Sequence, residues 1–94
     1  MRWDAIALDP ADDVAVALRD VAAGTVRVRQ GDTVRLLAVP APIALGHKLA
    51  LRALSPGDAI RKYGQPIGAA TAAIAPGEHV HVHNLRSLRG GRRA

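Results

Sequence analysis

The chain has no cysteine and no phenylalanine, one tryptophan, one tyrosine and one methionine. Without cysteine there is no disulfide framework, no thiolate nucleophile and no sulfur ligand for a metal, and a reducing cytoplasm is the expected setting. With so few aromatics there is no stacking platform for bases, which makes nucleic acid the weakest of the partner readings. No apolar run approaches the roughly 20 residues of a membrane span, and MRWDAIALDP lacks the basic-then-apolar order of a secretory leader. Acidic chemistry is scarce too, because Glu78 is the single glutamate.

What remains is aliphatic. The apolar fraction is 49% of 94 residues, much of it alanine, so one domain with a thin core is expected. A thin core favours a partner surface, either another subunit or, in isolation, a second copy. The net charge of +5 is concentrated at one end, where Arg86, Arg89, Arg92 and Arg93 lie within the last ten residues. The rest is nearly neutral, so the organisation predicted is a folded domain over residues 1–88 and a basic, disordered tail over 89–94.

Alternation dominates the patterning. Trp3 to Leu8 reads as a short strand, with Ile6 and Leu8 alternating against polar or small neighbours, and Val14 to Leu18 as another with Val14, Val16 and Leu18 inward. Val26 to Val28 and Thr33 to Val39 read as a hairpin around Gln30-Gly31-Asp32. A segment recurs three times, as Leu18–Val26, Leu51–Ile60 and Thr71–Val80. Each copy has an apolar residue three before a glycine and another shortly after it. Pro56-Gly57 and Pro76-Gly77 have the type II turn arrangement, so Gly24, Gly57 and Gly77 are expected at equivalent turns. Uneven spacing argues against a solenoid, and short strands with tight turns argue for a mainly β fold, a small clip or compact barrel.

Histidine is placed unevenly. His79, His81 and His83 alternate with Val80 and Val82, which on a strand puts three imidazoles on one face and two valines on the other. On a straight strand the outer two start about 13 Å apart, so at most two could share one ion and further ligands must come from elsewhere. An exposed polar edge is the plainer alternative. His47 shares a face with Leu49 and Leu51 and reads more readily as a core histidine than as a ligand. Gly64 and Gly68, in Lys62-Tyr63-Gly64-Gln65-Pro66-Ile67-Gly68, would allow close approach of a ligand or of another strand.

Four motifs occur in one order: Asp12 with Val14-Ala15-Val16-Ala17-Leu18, Gly46-His47-Lys48-Leu49-Ala50-Leu51, Lys62 to Gly68, and Gly77 to Asn84. Together they resemble the N-terminal SAF domain of the altronate dehydratase family, which includes galactarate and sulfolactate dehydratases. The resemblance implies a β-clip fold and part of a metal-dependent lyase that removes water from sugar acids, with iron or manganese held mainly by a larger catalytic subunit. A chain ending soon after Asn84 is expected to be the small subunit of such an enzyme. Carried onto this sequence, the expected roles are proton transfer and carboxylate recognition for His47, Lys48 and Lys62, and substrate contact for Tyr63, Gly64 and Asn84. His79, His81 and His83 are the candidate metal ligands. Asp9 stands where many members carry histidine, and Asp12-Asp13 where they carry Asp-Asn. The alternative is a binding module without chemistry, holding a small anion or a protein segment.

Overall fold

A computed structural model describes residues 3–87; the basic tail expected over 89–94 lies outside them. No helix occurs among the described residues, so none is long and apolar enough to cross a membrane. The strands are β1 (Ala5–Ala7), β2 (Val14–Ala17), β3 (Gly24–Gln30), β4 (Thr33–Val39), β5 (Lys48–Ala50), β6 (Ala59–Lys62), β7 (Gln65–Ala70), β8 (His79–Val80) and β9 (Leu85–Ser87). They form a six-stranded sheet in the order β4-β3-β1-β2-β5-β8 and a three-stranded sheet in the order β6-β7-β9. Only β1 and β3 run parallel. The mainly β, turn-rich fold expected from the sequence is the fold observed.

Two apolar clusters share one divider, the antiparallel pair β2–β5. Val14 and its partner Ala50 face a cluster with Leu54, Ile60, Ile74 and Val80, whereas Ala15 and its partner Leu49 face one with Ala5, Ala7, Val28 and Ile43. A strand with core on both faces must be apolar throughout, and this explains the unbroken Val14 to Ala17 run. It also corrects the expected facing: the buried positions are Val14, Ala15 and Ala17, with Val16 and Leu18 half-buried. In β1 the inner face is likewise Ala5 and Ala7, and Leu8 is 59% exposed. Alanine suits these positions because β1 has hydrogen-bonded neighbours on both edges and little depth beneath it.

The repeated segments form interlocking turns. The Gly46 turn embraces Ala17, whose N–H donates to the His47 carbonyl and whose carbonyl accepts from the Gly46 N–H, both at 2.8 Å. The Gly57 turn holds Ala70 in the same way through Asp58, and the Gly77 turn holds Ala50 through Glu78. Each turn closes on itself, with the N–H of His47, Asp58 or Glu78 donating to the carbonyl of Ala44, Ser55 or Ala75. The φ values of +83°, +91° and +86° at the three glycines require a residue without a Cβ penalty. The last two clips are reciprocal: the turn that follows Ala50 holds Ala70, and the turn that follows Ala70 holds Ala50. Gly24 departs from the expectation of equivalence. At φ +129° it opens β3 and pairs with Val39, and the third turn of the set is the one at Gly46.

Candidate metal centre

Two clips deliver the histidines. His47 directly follows Gly46 and His79 follows Gly77 by two residues, and β5 pairs with β8 through Lys48↔Val80 and Leu49↔His79. His47 Nδ1 and His79 Nε2 are thereby brought to 2.8 Å, one nitrogen donating and the other accepting. The His47 and His81 rings stack with centroids 4.8 Å apart, and His79 and His81 with centroids 5.3 Å apart. The candidate ligand nitrogens of His47, His79 and His81 all lie within 4.8 Å of one another.

The expected straight histidine strand is not formed. β8 ends at Val80, and His81 starts a turn in which its carbonyl accepts from Asn84 N at 3.0 Å and Leu85 N at 2.9 Å. Asn84 is buried and holds this turn, its Oδ1 accepting from His81 N and its Nδ2 donating to the His79 carbonyl. The valines therefore part company, Val80 fully buried and Val82 80% exposed. Curling also draws His83 in, with its ring 5.5 Å from that of His79, although His83 itself is exposed. His47, expected as a core residue, is half-buried and belongs to the imidazole group, because β5 begins one residue after it.

Lysine completes the cluster. Lys48 is half-buried, and burial first and the Lys62 ammonium second hold its pKa below the usual lysine value. Burial, followed by His47, His81, His83 and Lys48 in that order, lowers His79 below an ordinary histidine. A neutral His79 keeps a lone pair available for a metal or a proton. Neither lysine makes an ion pair among the described residues.

This donor set fits a metal. Nitrogens bound to one ion at about 2.1 Å lie roughly 3.0–3.5 Å apart, so small ring rotations would close His47, His79 and His81 on a common centre. Imidazole donors suit iron, nickel, copper and zinc better than magnesium or calcium.

Tyr63 and Gly64 form the tip of the β6–β7 hairpin, where Lys62 pairs with Gln65 and the Lys62 Nζ sits 4.9 Å from the centre of the Tyr63 ring. A Cβ on Gly64 would lie 3.0 Å from Asp9 Oδ2, so this glycine makes room for Asp9. Asp12 and Asp13, which in the sequence stand only as part of a family motif, are buried carboxylates. Asp13 accepts from Arg52 Nε at 2.6 Å and from Arg61 N at 2.8 Å, tying β2 to β6. Their signal was available: two acids beside an unbroken apolar strand must either leave the core or satisfy buried amides.

The family model described as the altronate/galactarate dehydratase SAF domain matches residues 3–88. Altronate dehydratase of Escherichia coli (strain K12) is 49% identical over 76 residues, 81% of this chain and 15% of that protein. The Bacillus subtilis (strain 168) altronate dehydratase is 42% identical over a stretch of equal length, again 15% of its own chain. The alpha subunit of (2R)-sulfolactate sulfo-lyase from Paracoccus pantotrophus is 43% identical over 53 residues, 56% of this chain and 79% of that subunit. The chain thus spans about 15% of the length of the altronate dehydratases it matches. With a match across every described residue, this chain belongs to the altronate/galactarate dehydratase SAF domain family.

Proposed function

We propose that this domain is the small component of a metal-dependent sugar-acid or related hydroxy-acid dehydratase, working beside a larger catalytic subunit. The observation that carries this reading is the convergence of four histidines beside Lys48, which has no acidic ion-pair partner among the described residues, in a domain of a dehydratase family. A small subunit is supported by the sulfolactate sulfo-lyase relative, whose name makes it one chain of an assembly.

Removing water from a hydroxy acid takes a proton from the carbon beside the carboxylate and a hydroxyl from the next carbon. A divalent ion, iron or manganese, would supply Lewis-acid stabilisation of the charge that develops on the carboxylate. His47, His79 and His81 would hold it from one side, with oxygen ligands from the catalytic subunit, and His83 would border it. An all-imidazole half-site favours iron of the two. Lys48, its pKa lowered, can exchange a proton near neutral pH more readily than an exposed lysine, and Lys62 remains a cation for the substrate carboxylate.

The test is reconstitution. The catalytic subunit, purified alone, is expected to be inactive or nearly so, and to recover activity with bound metal when this chain is added. Full activity without this chain ends the reading. The same excess of cations over acids also favours a second one, an anion-binding module without chemistry, for which the chain would bind small carboxylates and co-purify with neither metal nor lyase.

A further inference from the structure

Tyr63 is the one non-glycine residue with positive φ among the described residues, at +56°, and Gly64 follows at +76°. Two positive φ values in a two-residue hairpin loop are those of a type I′ turn, whose first position belongs to asparagine, aspartate or glycine. A bulky side chain there is strained. Packing does not account for it, because Tyr63 is 46% exposed and its phenol makes no hydrogen bond among the described residues.

One buried carboxylate holds the strain in place. Asp12 is 5% exposed, its Oδ2 accepts from Tyr63 N at 2.8 Å and its Oδ1 from Gly64 N at 2.8 Å. Oδ2 also takes the Asp9 N–H at 3.2 Å, and Gln30 Nε2 fixes the loop from outside by donating to the Asp12 carbonyl at 3.1 Å. Both turn amides are thus bound to a buried group two residues before β2. The result is an outward phenol with the Lys62 ammonium over its ring.

We propose that Asp12 is a positioning residue that locks Tyr63 in its left-handed conformation, so that the phenol and the Lys62 ammonium together take the carboxylate of a small hydroxy acid. The ligand class rests on the dehydratase reading; the lock and its direction rest on the turn geometry. An exposed tyrosine kept at a position where asparagine would cost less is explained by what the phenol meets.

The test separates strain from function. The whole protein is titrated calorimetrically with tartrate in the presence of a chelator, and its melting temperature is recorded. Wild type is expected to bind tartrate saturably. Tyr63→Asn keeps the turn and is expected to raise Tm, by about 4–8 °C if roughly 1 kcal/mol of strain is released, while weakening tartrate at least about tenfold. Asp12→Asn, with one acceptor oxygen in place of two, is expected to lower both. Should Asp12→Asn fail to fold, Tyr63→Asn decides alone. An unchanged or lower Tm in Tyr63→Asn, an unchanged tartrate affinity, or a wild type that does not bind tartrate overturns the proposal. Metal is excluded and no turnover is measured, so a missing dehydratase activity would defeat the functional reading without touching this result.

Discussion

His47 and His79, 32 residues apart, are joined by a 2.8 Å hydrogen bond between Nδ1 and Nε2. Two ring nitrogens that close, beside His81, form a half-assembled ligand set. Chelator-treated protein is therefore expected to bind one equivalent of zinc, used as a calorimetric probe. His47→Ala or His79→Ala should weaken it by about tenfold or more, and His83→Ala, on the exposed side, by less. Zinc affinity unchanged by His47→Ala and His79→Ala would assign the metal elsewhere.

The same cluster makes metal-free stability depend on pH. His79 in the folded protein binds its proton less tightly than the reference value of 6.5, so as pH falls below 6.5 the unfolded chain protonates first and stability drops. The drop is complete once the folded-state pKa is passed. Melting curves at pH 7.5 and 5.0 in chelator should show it, and His79→Gln should flatten it. Lys48 acts in the same direction at higher pH: its penalty is full below its folded-state pKa, so Lys48→Met should raise Tm at pH 7.

Glycine positions divide by what a methyl group would strike. At Gly77 a Cβ would stand 2.0 Å from the Ala38 carbonyl oxygen, and at Gly68 2.2 Å from that of Arg86. Gly57 has open space but φ +91°. Gly57→Ala should cost about 1–2 kcal/mol from backbone strain, and Gly77→Ala or Gly68→Ala about 3 kcal/mol or more because strands must separate. Urea denaturation gives the ranking, and a reversed order would refute it.

Asp13 ties the start of β2 to β6 through the Arg61 N–H and also pairs with the half-exposed Arg52. Asp13→Ala should cost roughly 2–3 kcal/mol by orphaning the Arg61 N–H. Asp13→Asn, which retains an acceptor for that amide, should cost about 1 kcal/mol, since the ion pair is half in water. Equal losses in the two variants would mean that charge, not the amide, sets the cost.

Alternation revealed the strands, and proline–glycine pairs revealed two of the turns, because both signals are local. The third turn of that kind, at Gly46, was hidden because Leu45 stands where Pro56 and Pro76 stand in the others. Another frame makes the repeat plain: Ala17, Val39, Ala50 and Ala70 are each followed by an aliphatic residue four positions on and a glycine seven positions on. Val21 then bridges Ile43, and Leu54 bridges Ile74. The inward face of β2 departs from the alternation of the larger residues, because Ala15 and Ala17, rather than Val16 and Leu18, are the buried positions beside Val14. His79 and His81 were legible as a pair needing outside ligands. That His47 is the neighbour could not be read, since it depends on which clip closes on which alanine. Asn84 also braces the turn, a role visible only once His81 leaves the strand.

The clips have a consequence for how this centre can change over time. Each is closed through main-chain groups of the held residue, and at Ala17, Ala50 and Ala70 the side chain is a single methyl. Turn side chains can drift, as Leu45, Pro56 and Pro76 have, while the separation of the two segments that bear His47 and His79 stays fixed. A lineage could exchange these histidines for other side chains, and so change what the cluster can hold, without redesigning the scaffold beneath them.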